Sequence, residues 1–307
     1  MKYLSNILIV ILFITFSCQV NSSKKSNSSI INKNIESNKT ASTCSKSDSL
    51  LFEKIINLSQ QRNWQNETIS QIIIKVGSEF IGFPYIASTL DTNNSEEKLV
   101  MNLGKVDCTT FVEYVSAISI CIKQNKTTLS DFQSQLIYLR YRSGSIDGYG
   151  SRLHYFTDWL LENQKKGMID IVSNKIGTIP YEKKINFMST HPQFYKQLSD
   201  TTILNKIKAS EINLSNQKLK LISKSDINTV ESQIQDGDII AFATSIEGLD
   251  VTHVAFAVRK NGLLCILHAS LNAKKVVFSS ISLTEYLSNQ PKTIGIFVGR
   301  IKNTATQ

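Results

Sequence analysis

Beyond residue 236 the chain becomes a series of short β-rich runs, "GDIIAFA", "VTHVAFAVR", "LLCILHAS", "KKVVFSS" and "IGIFVGRI", separated by turn residues. Runs of this kind read as strands of an antiparallel sheet. Asn261-Gly262 lies between the second and third runs, and Asn-Gly is a strong signal for a two-residue type I′ hairpin. The turn sets a register in which Lys260 faces Leu263, Ala255 faces His268 and His253 faces Ser270. Side chains alternate with a period of two, so His253, Ala255 and Ala257 share one face with Ile266, His268 and Ser270. The two histidines then stand diagonally, about 7–8 Å apart in the usual geometry. Cys265 falls on the opposite face with Val254, Phe256 and Val258, a core position.

Ahead of the sheet the periodicity is helical. Leu51, Ile55 and Leu58, then Ile69, Ile72, Ile73 and Val76, recur at helical spacing across 50–80 until "GFPY" at 82–85 breaks the pattern. Cys108, Phe111, Val112, Val115, Ile118 and Ile122 repeat it from Asp107 onward, so a helix starts there. Residues 125–230 read as a mainly helical insertion with a Gly-rich loop, "RSGSIDGYGS". A last helix is expected over 282–287, where Ser282 and Glu285 form a capping box. The fold class is α+β, with the Cys108 helix packed on the late sheet. Ala255 and Ala257 suggest that this helix approaches the histidine face.

A cysteine at a helix start facing two histidines is an arrangement that nucleophilic catalysis needs. The thiolate is the nucleophile, and a helix amino terminus beside an imidazolium lowers a thiol pKa. His253 would take and return the proton, and His268 would hold the imidazole in the right tautomer. Asp107 reads as a helix-start residue. Cys121, thirteen residues after Cys108, points to the opposite side of the helix. A cysteine among apolar neighbours is more often simply buried, so the joint pattern, rather than any single residue, carries the expectation.

The amino terminus indicates export. Lys2 precedes "ILIVILFITF", an apolar run too short for a membrane-spanning helix, which needs about twenty residues, but suited to a signal peptide. Ser17-Cys18 resembles a bacterial lipoprotein cleavage site, although Thr15 and Phe16 depart from the usual pattern. The expectation is a signal peptide over 1–18, lipid on Cys18, a polar tether over 19–49 and a folded domain over 50–307 at the cell envelope. Cys44, Cys108, Cys121 and Cys265 have neither zinc-site nor disulfide-framework spacing, and nothing in the sequence proposes a Cys44–Cys121 bridge. The net charge of +9 is spread without a dense basic block, which argues against nucleic acid as a partner.

"DCTTF", "THVAFAV" and "LHAS", in that order, resemble the NlpC/p60 superfamily of papain-like cell-wall hydrolases, and "GFPY" resembles the stretch upstream of the family cysteine. The resemblance implies Cys108 as nucleophile, His253 as base, His268 as third residue and Tyr85 at the active site. The Trp-Gly-Gly that usually follows is replaced by "IASTLD", so the cleft should differ from that of the common endopeptidases. "SRLHYFTDW", "FMSTHPQFY", "GLDVTHVAFAV" and "GIFVGRI" extend the likeness to the N-acetylmuramoyl-L-alanine amidase-like lipoproteins, over about residues 70–301. That branch implies a monomeric enzyme without metal or cofactor. Its substrate would be peptidoglycan or muropeptides, cut between N-acetylmuramic acid and L-alanine through a thioester. Arg152, His154 and Tyr155 are candidate substrate contacts, with an amphipathic core helix as the alternative. His191 reads as a turn or cap residue. The rival functions are a D-glutamyl–diamino acid endopeptidase, a non-catalytic wall-binding lipoprotein and a lipid-processing acyltransferase.

Overall fold

The computed structural model describes residues 45–91 and 96–303. The expected signal peptide, Cys18, Cys44 and all but the last residues of the tether lie outside them. Helix α1 (Lys46–Gln61) begins four residues earlier than the periodicity suggests. Ser45 and Asp48 close a capping box there, which the apolar pattern alone could not reveal. Helix α2 (Ile69–Ser78) is capped in the same way by Thr68 and Gln71.

Helix α3 (Cys108–Lys123) is the central helix, and every residue from Thr110 to Ile122 is buried. Helices α4 (Leu129–Arg140) and α5 (Phe156–Lys165) follow. Strand β1 (Ile169–Ile171), α6 (Ser173–Ile176), β2 (Ile179–Tyr181), α7 (Phe187–Thr190), α8 (Thr201–Ser215), β3 (Leu219–Ser223) and α9 (Ile227–Val230) complete the region read as an insertion. Then come β4 (Ile239–Thr244), β5 (Val251–Lys260), β6 (Leu263–Ser270), β7 (Lys275–Phe278), α10 (Leu283–Ser288) and β8 (Thr293–Ile301). The sheet order is β2-β3-β8-β4-β5-β6-β7, with β1 also on β8, and its pairings are antiparallel. The insertion is therefore less helical than expected, because three of its short strands extend the sheet past β8.

The hairpin register is the expected one. Lys260 pairs with Leu263, and the ladder runs to Phe256 opposite Leu267. Asn261 and Gly262 both have positive φ, 52° and 81°, as a type I′ turn requires. The packing side is not the expected one. Helix α3 lies on the face of Val254, Phe256, Val258 and Leu267, where Phe111 meets Phe256 edge-on at 5.8 Å. Ala255, Ala257 and Ile266 instead pack under α9 and α10 through Ile227, Leu283 and Leu287. A third apolar cluster, with Tyr149, Tyr155, Met188, Ile207 and Leu214, holds the insertion together.

Candidate active site

Asp107 caps α3 and thereby fixes Cys108 as its first residue. The Asp107 carboxylate accepts from Thr110 N at 2.8 Å and Thr110 Oγ1 at 2.9 Å, while Thr110 Oγ1 accepts from Asp107 N at 3.0 Å. Thr109 N–H also serves the carboxylate. The Cys108 N–H has no helical partner, as for the first N–H of any helix.

Although α3 covers the other sheet face, Cys108 meets β5 at Val254, one residue from His253. The β5–β6 ladder stops after Phe256–Leu267, and the Val254 N–H is directed at Cys108. His253, the neighbour of Val254, turns its Nε2 to His268 Nδ1 at 2.8 Å, with the two rings nearly perpendicular at 78°. That bond engages Nε2 and leaves Nδ1 of His253 outside it. When His253 Nε2–H donates to His268, Nδ1 carries the free lone pair that a base needs.

Tyr85 forms another wall. Its backbone is stitched on both sides, with Tyr85 N donating to Lys274 O at 2.9 Å and Ile86 N donating to Val106 O at 2.9 Å. Gly82, with φ of 87°, lets the segment turn onto β7, where its N–H reaches Val276 O. Tyr286 on α10 is the residue that sequence reasoning missed. Its ring meets those of His268 at 5.5 Å and His253 at 6.4 Å. Charge on Cys108 is felt at both phenols.

Protonation differs from the sequence expectation. Burial, and next the Asp107 charge, push the half-buried Cys108 thiol up to about 11, against the Val254 N–H. Burial pushes His253 down to about 3 and His268 to about 4. The rise from 9.0 to about 11 corresponds to about 3 kcal/mol, more than the 0.3–1 kcal/mol typical of a helix amino terminus. The resting pair is a neutral thiol and a neutral imidazole, with no imidazolium to draw the thiol down. Cys121 and Cys265 are buried free thiols, and burial pushes Cys121 up to about 12.

Of the three candidate substrate contacts in the insertion, Tyr155 is a buried strut. It donates to Glu211 at 2.7 Å and accepts from Met188 N at 2.8 Å, so both hydrogen-bonding functions of its hydroxyl are engaged. His154 lies against Tyr149 at 4.4 Å and bonds the Tyr149 carbonyl at 2.9 Å. Arg152 is 7% exposed, donates to Leu90 O at 3.1 Å and stacks on Tyr149 at 4.8 Å. None of the three joins the Cys108 cluster, although Arg152 fixes the segment that follows Tyr85. His191 caps α7, its Nδ1 being 2.9 Å from Phe187 O, in keeping with a cap residue.

Residues 75–296 match the AmiA-like family, described as N-acetylmuramoyl-L-alanine amidase-like. The chain belongs to this family. An N-acetylmuramoyl-L-alanine amidase of Bacteroides uniformis is 37% identical, with a TM-score of 0.73 over 76% of this chain and 99% of that one. A Bacteroides fragilis protein provisionally named a xylanase is 36% identical, with a TM-score of 0.70 over 74% of this chain and 100% of that one. A Legionella pneumophila protein, 20% identical, shares the fold with a TM-score of 0.63 over 84% of this chain and 96% of that one. A search of the curated proteins returns no match.

Proposed function

We propose that this member of the AmiA-like family is a cysteine amidase that cleaves the bond between N-acetylmuramic acid and L-alanine, with an NlpC/p60-type Cys-His-His site. The observation that carries the reading is the 2.8 Å His253–His268 bond beside a cysteine at a helix start. The Cys108 sulfur attacks the lactyl carbonyl of the muramoyl group as its proton passes to His253 Nδ1. The Cys108 N–H and the Tyr85 hydroxyl steady the oxyanion. His253 returns the proton to the nitrogen of L-alanine as the C–N bond breaks, leaving a thioester on Cys108. Water, deprotonated by His253, then splits the thioester to the lactyl carboxylate and restores the thiol. Because the resting pair is neutral, proton transfer accompanies attack and does not precede it. Lipid on Cys18 would hold the domain at the envelope, next to its polymer substrate.

The xylanase name of one relative points to glycosidic bonds instead. That chemistry ordinarily uses two carboxyl groups flanking the sugar. The carboxylate that acts on Cys108 and Tyr85 is Asp107, and it is committed to capping α3, which speaks against this reading. The scissile bond is tested by mass spectrometry of disaccharide-linked and sugar-free muropeptides after incubation with the protein. Release of an intact peptide with free L-alanine supports the amidase. A cut within the stem peptide would replace it with the endopeptidase.

A further inference from the structure

We infer that Tyr286 is a positioning residue for the His253–His268 pair, and that its ring rather than its hydroxyl performs this role. Helix α10 is anchored by Leu283 and Leu287, which are 0% and 1% exposed in the core beneath the histidine face. Tyr286 lies between these anchors and is half-buried. Its ring stands at 89° to His268, at 27° to His253 and at 57° to Phe242, with centroids 5.5, 6.4 and 5.5 Å away. Phe242 faces His253 across the β4–β5 ladder, its ring 5.3 Å from the imidazole. His253 is thus flanked by two aromatic rings, and the edge of His268 is covered by one of them.

This enclosure has two consequences. A flip of the His253 ring would break the Nε2–Nδ1 bond and put carbon where each nitrogen now stands, and packing against the two aromatic rings opposes that rotation. The same walls exclude water, which favours the neutral imidazole that a base must be. The titratable groups facing His253 are His268 on β6 and Tyr286 on α10, with Cys108 at the neighbouring Val254 and Tyr85 and Asp107 acting on the thiol. The Asp107 charge acts on the thiol, and among the described residues the only charge acting on His253 is that of His268, which disfavours its protonation.

The inference rests on the proposed role of Cys108 and His253, and the test separates the two. Alkylation of Cys108 by iodoacetamide, followed from pH 5 to 7.5, reports the pair without any substrate. The native rate should rise about tenfold per pH unit with the small thiolate fraction, because His253 stays neutral throughout and offers no imidazolium to draw the thiol down. Tyr286→Ala admits water, so His253 moves toward its ordinary value, the imidazolium draws the thiol down at the acid end, and the rise in alkylation over that range should be about fourfold to tenfold smaller than in the native protein. Tyr286→Phe keeps the ring and should restore the native profile. Tyr286→Val, which lacks a ring but stays apolar, gives the same reading if the alanine variant does not fold. Coincident native and ring-less profiles would overturn the inference, as would a Phe variant behaving like alanine. A displaced profile without muropeptide cleavage by the native protein would keep Tyr286 in its role and remove the amidase reading. Cleavage with coincident profiles would do the reverse.

Discussion

Asp250 offers the sharpest energetic test of how the insertion is tied to the strand that carries His253. It is 1% exposed and accepts from Thr157 N at 2.7 Å, Thr157 Oγ1 at 2.8 Å and Val251 N at 2.7 Å. Helix α5 receives no side-chain cap from its own N-cap residue, Tyr155, so a carboxylate 93 residues away in sequence caps it instead. The same carboxylate fixes the first residue of β5, two positions before His253. Hydrogen bonds to charged groups contribute about 1.5–3 kcal/mol each. Burial of the carboxylate, which raises its pKa, offsets part of that gain. Asp250→Ala leaves two backbone N–H groups without their acceptor and should cost about 2–5 kcal/mol, at about 1–3 kcal/mol for each buried donor left unpaired. Asp250→Asn retains one acceptor oxygen but turns an NH₂ toward an N–H, and should lose roughly half as much. Urea unfolding followed by circular dichroism measures both. A loss below 1 kcal/mol in the alanine variant would refute the assignment of Asp250 as the cap that joins α5 to β5.

Two further outcomes follow from the same geometry. His253 is held down near 3 when folded and titrates near 6.5 when unfolded. The unfolded chain therefore takes up the proton first, and stability is lost as pH falls from 6.5 toward 3. Between pH 7.5 and 5.5 this histidine should account for about 1.4 kcal/mol of lost stability, read as the difference in pH dependence between the protein and its His253→Asn variant. Equal pH dependence of the two would contradict a buried neutral imidazole. Tyr155→Phe removes the donor to Glu211 and the acceptor for Met188 N, and should cost about 1–3 kcal/mol in urea unfolding. Its kcat/KM per folded molecule should stay within twofold, and a tenfold loss would return Tyr155 to the substrate.

Much of the site was legible in the sequence because two local signals fix it. Asn261-Gly262 sets the register that brings His253 and His268 together, and Asp107 with Thr110 marks where α3 must begin. The covered face was not legible. Val254, Phe256 and Val258 on one side and Ala255, Ala257 and Ile266 on the other are all apolar, so alternation defines two faces without saying which helix takes which. Strands β1 and β2 have three residues each, too few to show a period, and they exist because β8 and β3 offer them edges. Nothing local in the sequence marks Tyr286, since its three ring partners come from three distant strand positions. Tyr155 looked available for substrate because its partners, Glu211 and Met188, are 56 and 33 residues away. The thiol pKa was misjudged for the same reason, because the extent of burial is a tertiary property that the helix start does not disclose.

The central claim is that Cys108 is the nucleophile of a muramoyl amidase. Disaccharide-linked muropeptide should be incubated with the protein and with Cys108→Ala, and the products weighed. The account predicts an intact peptide with free L-alanine from the native protein and none from a folded alanine variant. The same product at a comparable rate from both proteins would contradict it.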